Sequence, residues 1–187
     1  MQHTLQLAAW IELALCWLIW LGAMLRPRQK GPETVRAVSA PVSWIGVAFN
    51  LAGLACLGVW IRPHGYESPL PALLVAMVLA PPSVLLGVAA SRHLGKHWHH
   101  AAALNEDHLL IKTGPYATVR HPAYASLLGM MLATGCGYTW WPLLIPGALL
   151  ILVGIEISVR AEEKLMEHFF QDEFIEYRAR SRSYLPF

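Results

Sequence analysis

Residues 5–25 read LQLAAWIELALCWLIWLGAML, an apolar run in which Gln6 and Glu12 are the polar exceptions. At about 1.5 Å of rise per residue, a helix of this length spans roughly 30 Å, the thickness of the hydrocarbon core of a bilayer. The run therefore predicts a membrane-spanning helix. Glu12 would lie at membrane depth, where an ionisable side chain is hydrated, paired or functional.

The composition of the whole chain agrees with a lipid environment. Of its 187 residues, 56% are hydrophobic and 14% are charged, against about a quarter charged in soluble domains. A formal net charge of +2 predicts neither a disordered acidic tail nor a nucleic-acid-binding surface. The sequence contains neither a G-x-G-x-x-G nor a P-loop string, which excludes the usual nucleotide-binding motifs. A bound cofactor would have to be held by loops and helix ends.

Further apolar runs complete a predicted all-α integral membrane bundle of about five transmembrane helices. The third run contains the adjacent Pro81 and Pro82, so we expect that helix to be kinked or broken there. Glycine and proline between the last two runs favour a helical hairpin. The five predicted helices are residues 5–25, 42–61, 70–90, 124–138 and 140–158.

Two polar segments accompany these helices. Residues 91–121 form the largest predicted loop outside the membrane. Residues 159–181 alternate apolar and charged side chains at helical spacing, which predicts an amphipathic helix that lies along the membrane surface or caps the bundle. Together, the loop and this helix would form the walls of a pocket.

The distribution of Lys and Arg predicts the orientation. With the N-terminus outside, 13 of the 14 basic residues lie on the inner side and Arg62 alone lies outside, as the positive-inside rule requires. The predicted location is a bacterial or archaeal inner membrane or an ER-type membrane, with the loop and the C-terminus in the cytosol. The three cysteines fall within predicted helices, so we interpret them as small packing residues.

The strongest motif is the stretch HLLIKTGPYATVRHPAY at residues 108–124, followed some forty residues later by the pair Glu162 and Glu163. A Gly-Pro-Tyr turn, then Arg-His-Pro-x-Tyr at a helix start, then Glu-Glu, in this order, resembles the isoprenylcysteine carboxyl methyltransferase and phospholipid methyltransferase superfamily. The resemblance covers residues 94–186. It implies one membrane methyltransferase domain over residues 1–187, with three N-terminal helices in residues 1–90 and a catalytic half in residues 91–187.

The resemblance also implies the cofactor and its contacts. Members of the superfamily transfer a methyl group from S-adenosyl-L-methionine to a lipid-borne acceptor, here at the cytosolic face of the membrane. The positions that match their cofactor-binding residues are His108, Leu109, Leu110, Ile111, Tyr116, His121, Pro122, Ala123, Tyr124, Glu162 and the supporting Glu163. No metal is implied. The expected partners are membrane lipids and a lipid or prenylated small-molecule or peptide substrate, without nucleic acid.

Two positions depart from the superfamily pattern. Ser126 stands where the phospholipid enzymes usually have Gly, and Ser158 stands where the carboxyl methyltransferases have the arginine assigned to the substrate carboxylate. Arg160 lies two residues further on, about 200° around the helix. We therefore take Arg160 as the candidate for binding an acceptor carboxylate, and Glu156 as the candidate base if the acceptor is an amine.

Several functions remain open from the sequence. A carboxylate acceptor is already ionised at neutral pH, whereas the ammonium of phosphatidylethanolamine must first lose a proton, so we favour an isoprenylcysteine-like carboxylate over a phospholipid amine. An NADPH-dependent membrane reductase and a non-catalytic scaffold are further alternatives. A histidine-box metal enzyme is another, because His93, His97, His99 and His100 cluster in the loop and the first two have i, i+4 spacing, which suits a metal.

Overall fold

The computed structural model describes residues 2–25, 38–39, 41–58, 66–95, 103–104 and 109–185. These residues fold as an all-helical protein, with one unpredicted pair of two-residue strands, β1 (Val38–Ser39) and β2 (Ala103–Leu104), which pair antiparallel. A 3₁₀ turn covers Gly114–Ala117. The helices are α1 (Gln2–Met24), α2 (Ser43–Gly58), α3 (Leu70–Leu94), α4 (Pro122–Gly137), α5 (Trp141–Phe170) and α6 (Asp172–Arg180).

Three of the described helices are long and apolar enough to cross a membrane: α1, α3 and residues Pro142–Phe170 of α5. Helix α2 is a shorter apolar helix, and α4 has 16 residues. Large apolar side chains are exposed along α1, α2, α3 and α5, as expected where lipid is the solvent. The predicted fold class is confirmed as all-helical, whereas the count of five crossings stays a prediction.

Consecutive helices run in alternating directions. At one end of the bundle, the Gln2 amide at the start of α1 donates to the Ser68 carbonyl just before α3, and the Ser68 hydroxyl donates to the Gly137 carbonyl at the end of α4. The Thr139 hydroxyl donates to the Leu57 carbonyl near the end of α2. The C-termini of α1 and α3 and the N-termini of α2 and α4 therefore share the opposite end.

Helices α2 and α5 pack through glycines spaced seven residues apart on each. A Cβ at Gly154 would lie 2.7 Å from the Gly46 carbonyl oxygen, and a Cβ at Gly53 would lie 2.9 Å from that of Gly147. Such distances are too short for any side chain, so the two backbones approach closely. Small residues at helix contacts are the usual means of association in lipid, because lipid tails are as apolar as the side chains themselves.

Helix α1 is joined to α4 by a different device, a row of indole hydrogen bonds. Three tryptophans of α1 donate their Nε1–H groups to acceptors along α4. Indole N–H groups within a bilayer need such partners, because the hydrocarbon core offers no water to satisfy them. The pairs are Trp10 with the Gly137 carbonyl at 3.1 Å, Trp17 with Thr134 Oγ1 at 2.9 Å and Trp20 with Ser126 Oγ at 2.7 Å.

The proline pair does not break α3, which runs without interruption through Pro81 and Pro82. Two backbone donors are missing there, but one hydrogen bond within the helix and one from α4 stabilise the following turn. The Ser83 hydroxyl donates to the Leu79 carbonyl at 2.7 Å, and the Ser126 hydroxyl of α4 donates to the Ser83 carbonyl at 2.6 Å. Packing against α4 thus holds a helix that the local sequence would interrupt.

The prediction of a separate amphipathic helix over residues 159–181 is wrong in its boundaries. Helix α5 continues past Ser158 to Phe170, because the change from apolar to charged residues brings neither Gly nor Pro into the chain. The helix ends at Gln171, whose φ of 47° is left-handed, and α6 follows. Phe174 and Tyr177 of α6 are buried, so this short helix closes one end of the fold.

Candidate functional site

The Arg-His-Pro motif lies at the start of α4. Pro122 occupies the first helical position and is fully buried, where its fixed φ suits the first turn and no donor is lost. His121 is the residue that precedes the helix. The motif therefore presents Arg120 and His121 at the end of the bundle where α3 also ends and the 3₁₀ turn lies.

His121 lies between the two consecutive carboxylates of α5. Its Nδ1 is 3.2 Å from Glu162 Oε2 and its Nε2 is 3.2 Å from Glu163 Oε1, with its side chain only 3% exposed. Only a doubly protonated imidazole can donate from both ring nitrogens, so two carboxylate partners favour the charged form of His121. Burial lowers the pKa of His121, but its hydrogen bonds and charge interactions with both glutamates outweigh this and raise the pKa overall.

Glu162 has a second hydrogen-bond donor in the site. The Tyr124 hydroxyl donates to its Oε1 at 2.6 Å, and the Tyr124 ring lies 5.9 Å from the imidazole of His121. The Glu162 side chain nevertheless keeps 21% of its surface exposed. Its carboxylate is therefore fixed in position and still reachable from outside the protein.

Arg120 belongs to the motif quoted from the sequence, but no role in the site was predicted for it. Its Nε and Nη2 both lie 2.9 Å from Glu163 Oε1, and its Nη1 donates to the Ser181 carbonyl at 2.5 Å. Only 8% of the Arg120 side chain is exposed. Its position directly before the histidine of the motif was the available signal.

The C-terminal segment also forms part of the site, which nothing in the sequence indicated. Arg120 N donates to the Arg182 carbonyl at 2.8 Å, and Arg182 N donates to the Thr118 carbonyl at 3.0 Å. His121 N donates to the Ser183 carbonyl at 3.0 Å. The chain after α6 thus runs parallel to the segment before α4 and fixes its backbone.

Tyr116 of the Gly-Pro-Tyr turn is buried beside α6. Its carbonyl accepts a 2.6 Å hydrogen bond from the Tyr177 hydroxyl, and its own hydroxyl lies 3.5 Å from the Ala90 carbonyl of α3. Burial, together with the charge of Glu162 and the neighbouring Tyr177, raises the pKa of Tyr116 well above its ordinary value. Gly114 opens this turn with a φ of +60°, a conformation that favours glycine.

The other predicted cofactor positions lie on both sides of this turn. Leu109 is exposed, and Leu110 and Ile111 are half-buried in the segment that leads to it, which is neither helix nor strand. Ala123 is half-buried in the first turn of α4. His108 lies outside the described residues. The structure brings together His121, Tyr124, Glu162 and Glu163, and the binding role of every one of these positions stays a prediction.

The two predicted catalytic residues lie apart from this cluster, near the start of the polar part of α5. Arg160 Nε donates to Glu156 Oε1 at 2.7 Å, and the Arg160 side chain is 73% exposed. The hydroxyl of Tyr184, in the C-terminal segment, lies 3.4 Å from Glu156 Oε2. Arg160 and Glu156 are therefore partners of each other, about half a turn and between one and two turns before the acidic pair.

The two serines that depart from the superfamily pattern are both buried. Ser126 accepts from Trp20 and lies against Gly87, where a Cβ would come within 2.5 Å of its hydroxyl, so close helix packing is kept. Ser158 faces Gly46 of α2. Its hydroxyl lies beside that of Tyr124 but makes no hydrogen bond of good geometry.

The histidine cluster of the alternative metal site is only partly described. His93 is exposed in the last turn of α3, and its ring lies over Gly114. His97, His99 and His100 lie outside the described residues. Within the described ranges, no three His, Cys, Asp or Glu side chains are grouped as metal ligands.

Fold and site together define a helical membrane protein with a buried charge cluster at one end of its bundle. The family model of the isoprenylcysteine carboxyl methyltransferase (ICMT) family matches residues 74–168, half of the chain, including the Arg-His-Pro motif and the acidic pair. The chain belongs to this family. Its membership and its apolar helices identify it as an integral membrane protein.

One curated relative is the protein-S-isoprenylcysteine O-methyltransferase of Saccharomyces cerevisiae, which is 34% identical over 92 residues. The aligned region covers 43% of this chain and 34% of the yeast protein. The chain thus spans about a third of the length of the curated relative it matches. The similarity is confined to one part of each protein.

Proposed function

We propose that this protein is an S-adenosyl-L-methionine-dependent methyltransferase that acts on a lipid-borne acceptor, with the carboxylate of an isoprenylcysteine-like substrate as the favoured one. The family match and the name of the yeast relative support this activity. The observation that carries it is the Glu162 carboxylate, fixed by His121 and Tyr124 yet reachable from outside. It lies in the family's own motif, at the end of a membrane bundle.

The chemistry of these side chains fits the proposed cofactor. S-adenosyl-L-methionine carries an ammonium group and ribose hydroxyls. Both are hydrogen-bond donors, and a carboxylate such as Glu162 can accept from them. His121 and Tyr124 border the same carboxylate, and the backbone of residues 109–111 precedes the adjacent turn. When bound, the cofactor supplies a methyl group activated by its sulfonium.

The protein's own contribution to such a reaction is orientation. A carboxylate acceptor is ionised at neutral pH and needs no general base, so the residues act by holding two reactants in line and excluding water. Arg160 is the proposed contact for the acceptor carboxylate. Its present partner Glu156 is itself a carboxylate, which an acceptor of the same chemistry can replace.

The proposed orientation is five membrane crossings with the site in the cytosol and the N-terminus outside. The alternating helix directions support it. Every Lys and Arg among the described residues lies in the last turn of α3, between α3 and α4, in the polar part of α5 or in the segments after it. These cations therefore share the end of the bundle that holds the site, as the positive-inside rule expects.

Transfer of a labelled methyl group tests the activity. The purified protein in detergent is incubated with methyl-labelled cofactor and either an N-acetylated S-farnesylcysteine or phosphatidylethanolamine. We expect label in the farnesylcysteine as a methyl ester, which base releases as methanol. Base-stable label in the phospholipid would instead identify an N-methyltransferase, and binding of NADPH without S-adenosylmethionine would identify a reductase.

Binding of the demethylated product, S-adenosylhomocysteine, tests the site. We expect Glu162→Gln to weaken binding by about tenfold or more, since the charge is lost while the shape is kept. Glu167→Gln is the matched control, because Glu167 is the exposed carboxylate one turn further along α5. Calorimetry that gave equal affinities for Glu162→Gln and the wild type would reject this site.

A further inference from the structure

Arg120 connects the acidic pair to the C-terminus of the protein. Its guanidinium Nε and Nη2 contact Glu163. Its Nη1 donates to the carbonyls of Ser181 at 2.5 Å and Arg178 at 3.3 Å. A planar fork can serve such divergent acceptors at once, which a lysine ammonium on its flexible stem does less well. Arg120 therefore orients a carboxylate of α5 and the end of α6 together.

A second arginine–glutamate pair, which joins α6 to α5, shows what is particular to Arg120. Arg178 Nη1 lies 2.9 Å from Glu167 Oε2, with side chains 40% and 44% exposed. The distance is the same as in the Arg120–Glu163 pair, but that pair is only 8% and 19% exposed. Exposed pairs contribute little, whereas a buried charge that loses its partner is costly.

The charges of the cluster divide unequally between the two glutamates. Glu163 has two cationic partners, Arg120 and His121. Glu162 has His121 and the uncharged Tyr124 hydroxyl, and within the described residues no arginine or lysine pairs with it. Of the two carboxylates, Glu162 is therefore the less neutralised one, and a cation that enters the site is expected to pair with it.

We propose that Arg120 is a positioning residue: it neutralises Glu163 and ties it to the C-terminal segment, which leaves Glu162 as the carboxylate that a cationic ligand takes from His121. This rests on the proposed function for the identity of the ligand, but not for the arrangement of charges. Glu163 then acts through His121 and does not touch the ligand. Adjacent glutamates with similar sequence context thereby have different tasks.

The proposal makes ligand binding depend on the protonation of His121. The imidazolium competes with a cationic ligand for Glu162, so binding strengthens as pH rises through the titration of His121. Without Arg120, the full charge of Glu163 would hold the proton on His121 to higher pH. The charged or titratable groups of the cluster around His121 are Glu162 and Glu163 on α5, Tyr124 on α4 and Arg120. Tyr116 on the 3₁₀ turn interacts electrostatically with Glu162, and Tyr177 on α6 with Arg120.

The ligand-free protein gives the first measurement. NMR of protein with labelled histidines follows the titration of His121, whose signal is assigned with His121→Gln. We expect Arg120→Gln to move the midpoint up by about one pH unit and Glu163→Gln to move it down. The double variant should return toward the wild type, and Arg120→Lys, which keeps the charge, should stay near it.

Calorimetric titration with S-adenosylhomocysteine from pH 5 to 9 gives the second measurement. In each variant, the pH at which the affinity rises should shift in the same direction as the titration midpoint of His121. Arg178→Gln, the exposed control, should match the wild type. A uniform loss of affinity at all pH values in Arg120→Gln, with an unmoved His121 midpoint, would show a merely structural role and overturn the proposal. Shifted midpoints without any binding by the wild type would instead refute the proposed function alone.

Discussion

The interface of α2 with α5 and the charge cluster at the end of α5 are built on opposite principles, although one helix contributes to both. At the interface, α5 offers Gly147 and Gly154, and the contact depends on the absence of side chains. Two turns further on, the same helix offers Glu162 and Glu163, and the contact depends on charged groups that reach across to His121. Shape holds the first region and charge holds the second.

The difference follows from the solvent of each region. In lipid, apolar side chains gain nothing by leaving the solvent for each other, so association relies on close van der Waals contact and single hydrogen bonds. At the end of the bundle, water reaches the partly exposed Glu162 and charges are tolerated if they are paired. A site that binds a charged cofactor and a lipid acceptor would need a charged region next to a lipid-facing one. Helix α5 contributes to both regions.

The largest effect is expected where the charge cluster loses its centre. His121→Ala takes from Glu162 its cationic partner and from Glu163 one of its two, in a mostly buried position, which should lower the free energy of unfolding by about 3 kcal/mol. Thermal unfolding of the protein in detergent measures this. The control is His168→Ala, because His168 is exposed in the last turn of α5 and its loss should leave the melting temperature within a degree or two of the wild type.

The same comparison has a defined pH dependence. Because the pKa of His121 is raised in the folded protein, its contribution to stability is fully present below its ordinary value of about 6.5 and is lost as pH rises through the raised value. The difference in melting temperature between the wild type and His121→Ala should therefore shrink toward high pH. A difference that grew with pH would contradict the doubly protonated imidazole.

A smaller loss is expected where the glycine contact is filled. Gly154→Ala places a Cβ 2.7 Å from the Gly46 carbonyl oxygen, and backbone cannot yield as a flexible side chain would, so stability should fall by about 1–3 kcal/mol. Gly22→Ala on α1 is the matched control, since a Cβ there meets nothing within 4 Å. Unfolding in a denaturing detergent should leave Gly22→Ala unchanged or slightly more stable, and equal losses in both variants would remove the packing argument.

The smallest effect concerns the indole hydrogen bonds of α1. Trp20→Phe removes the donor to Ser126 while keeping most of the ring, and hydrogen bonds between membrane helices average about 0.6 kcal/mol. The same unfolding measurement should show a loss of this size and no loss for Trp44→Phe, whose side chain is exposed on α2. A loss above about 2 kcal/mol would mean that Trp20 organises the Ser126–Ser83 network and not only one bond.

Much of the site could be predicted from the sequence because its parts are local motifs. The turn before Tyr116, the helix start at Pro122 and the acidic pair each follow from short stretches, and all three lie at one end of the bundle. Arg120 could not be assigned its task, since a cation at a helix boundary reads equally well as a membrane anchor. The predicted end of the last membrane helix at Ser158 was also wrong, since α5 continues to Phe170. A change of polarity marks the end of the apolar environment and not the end of a helix.

The sequence by itself determined the solvent, the apolar helices and the motif of the site, because hydrophobic run length and residue type are local properties that burial in lipid acts on directly. Only the tertiary structure decided which glycines face each other, that α3 passes intact through its proline pair, and that the segment around Arg182 and Ser183 fixes the backbone of Arg120 and His121. Each of these depends on groups distant along the chain meeting at hydrogen-bonding or van der Waals distance. No local pattern encodes such meetings.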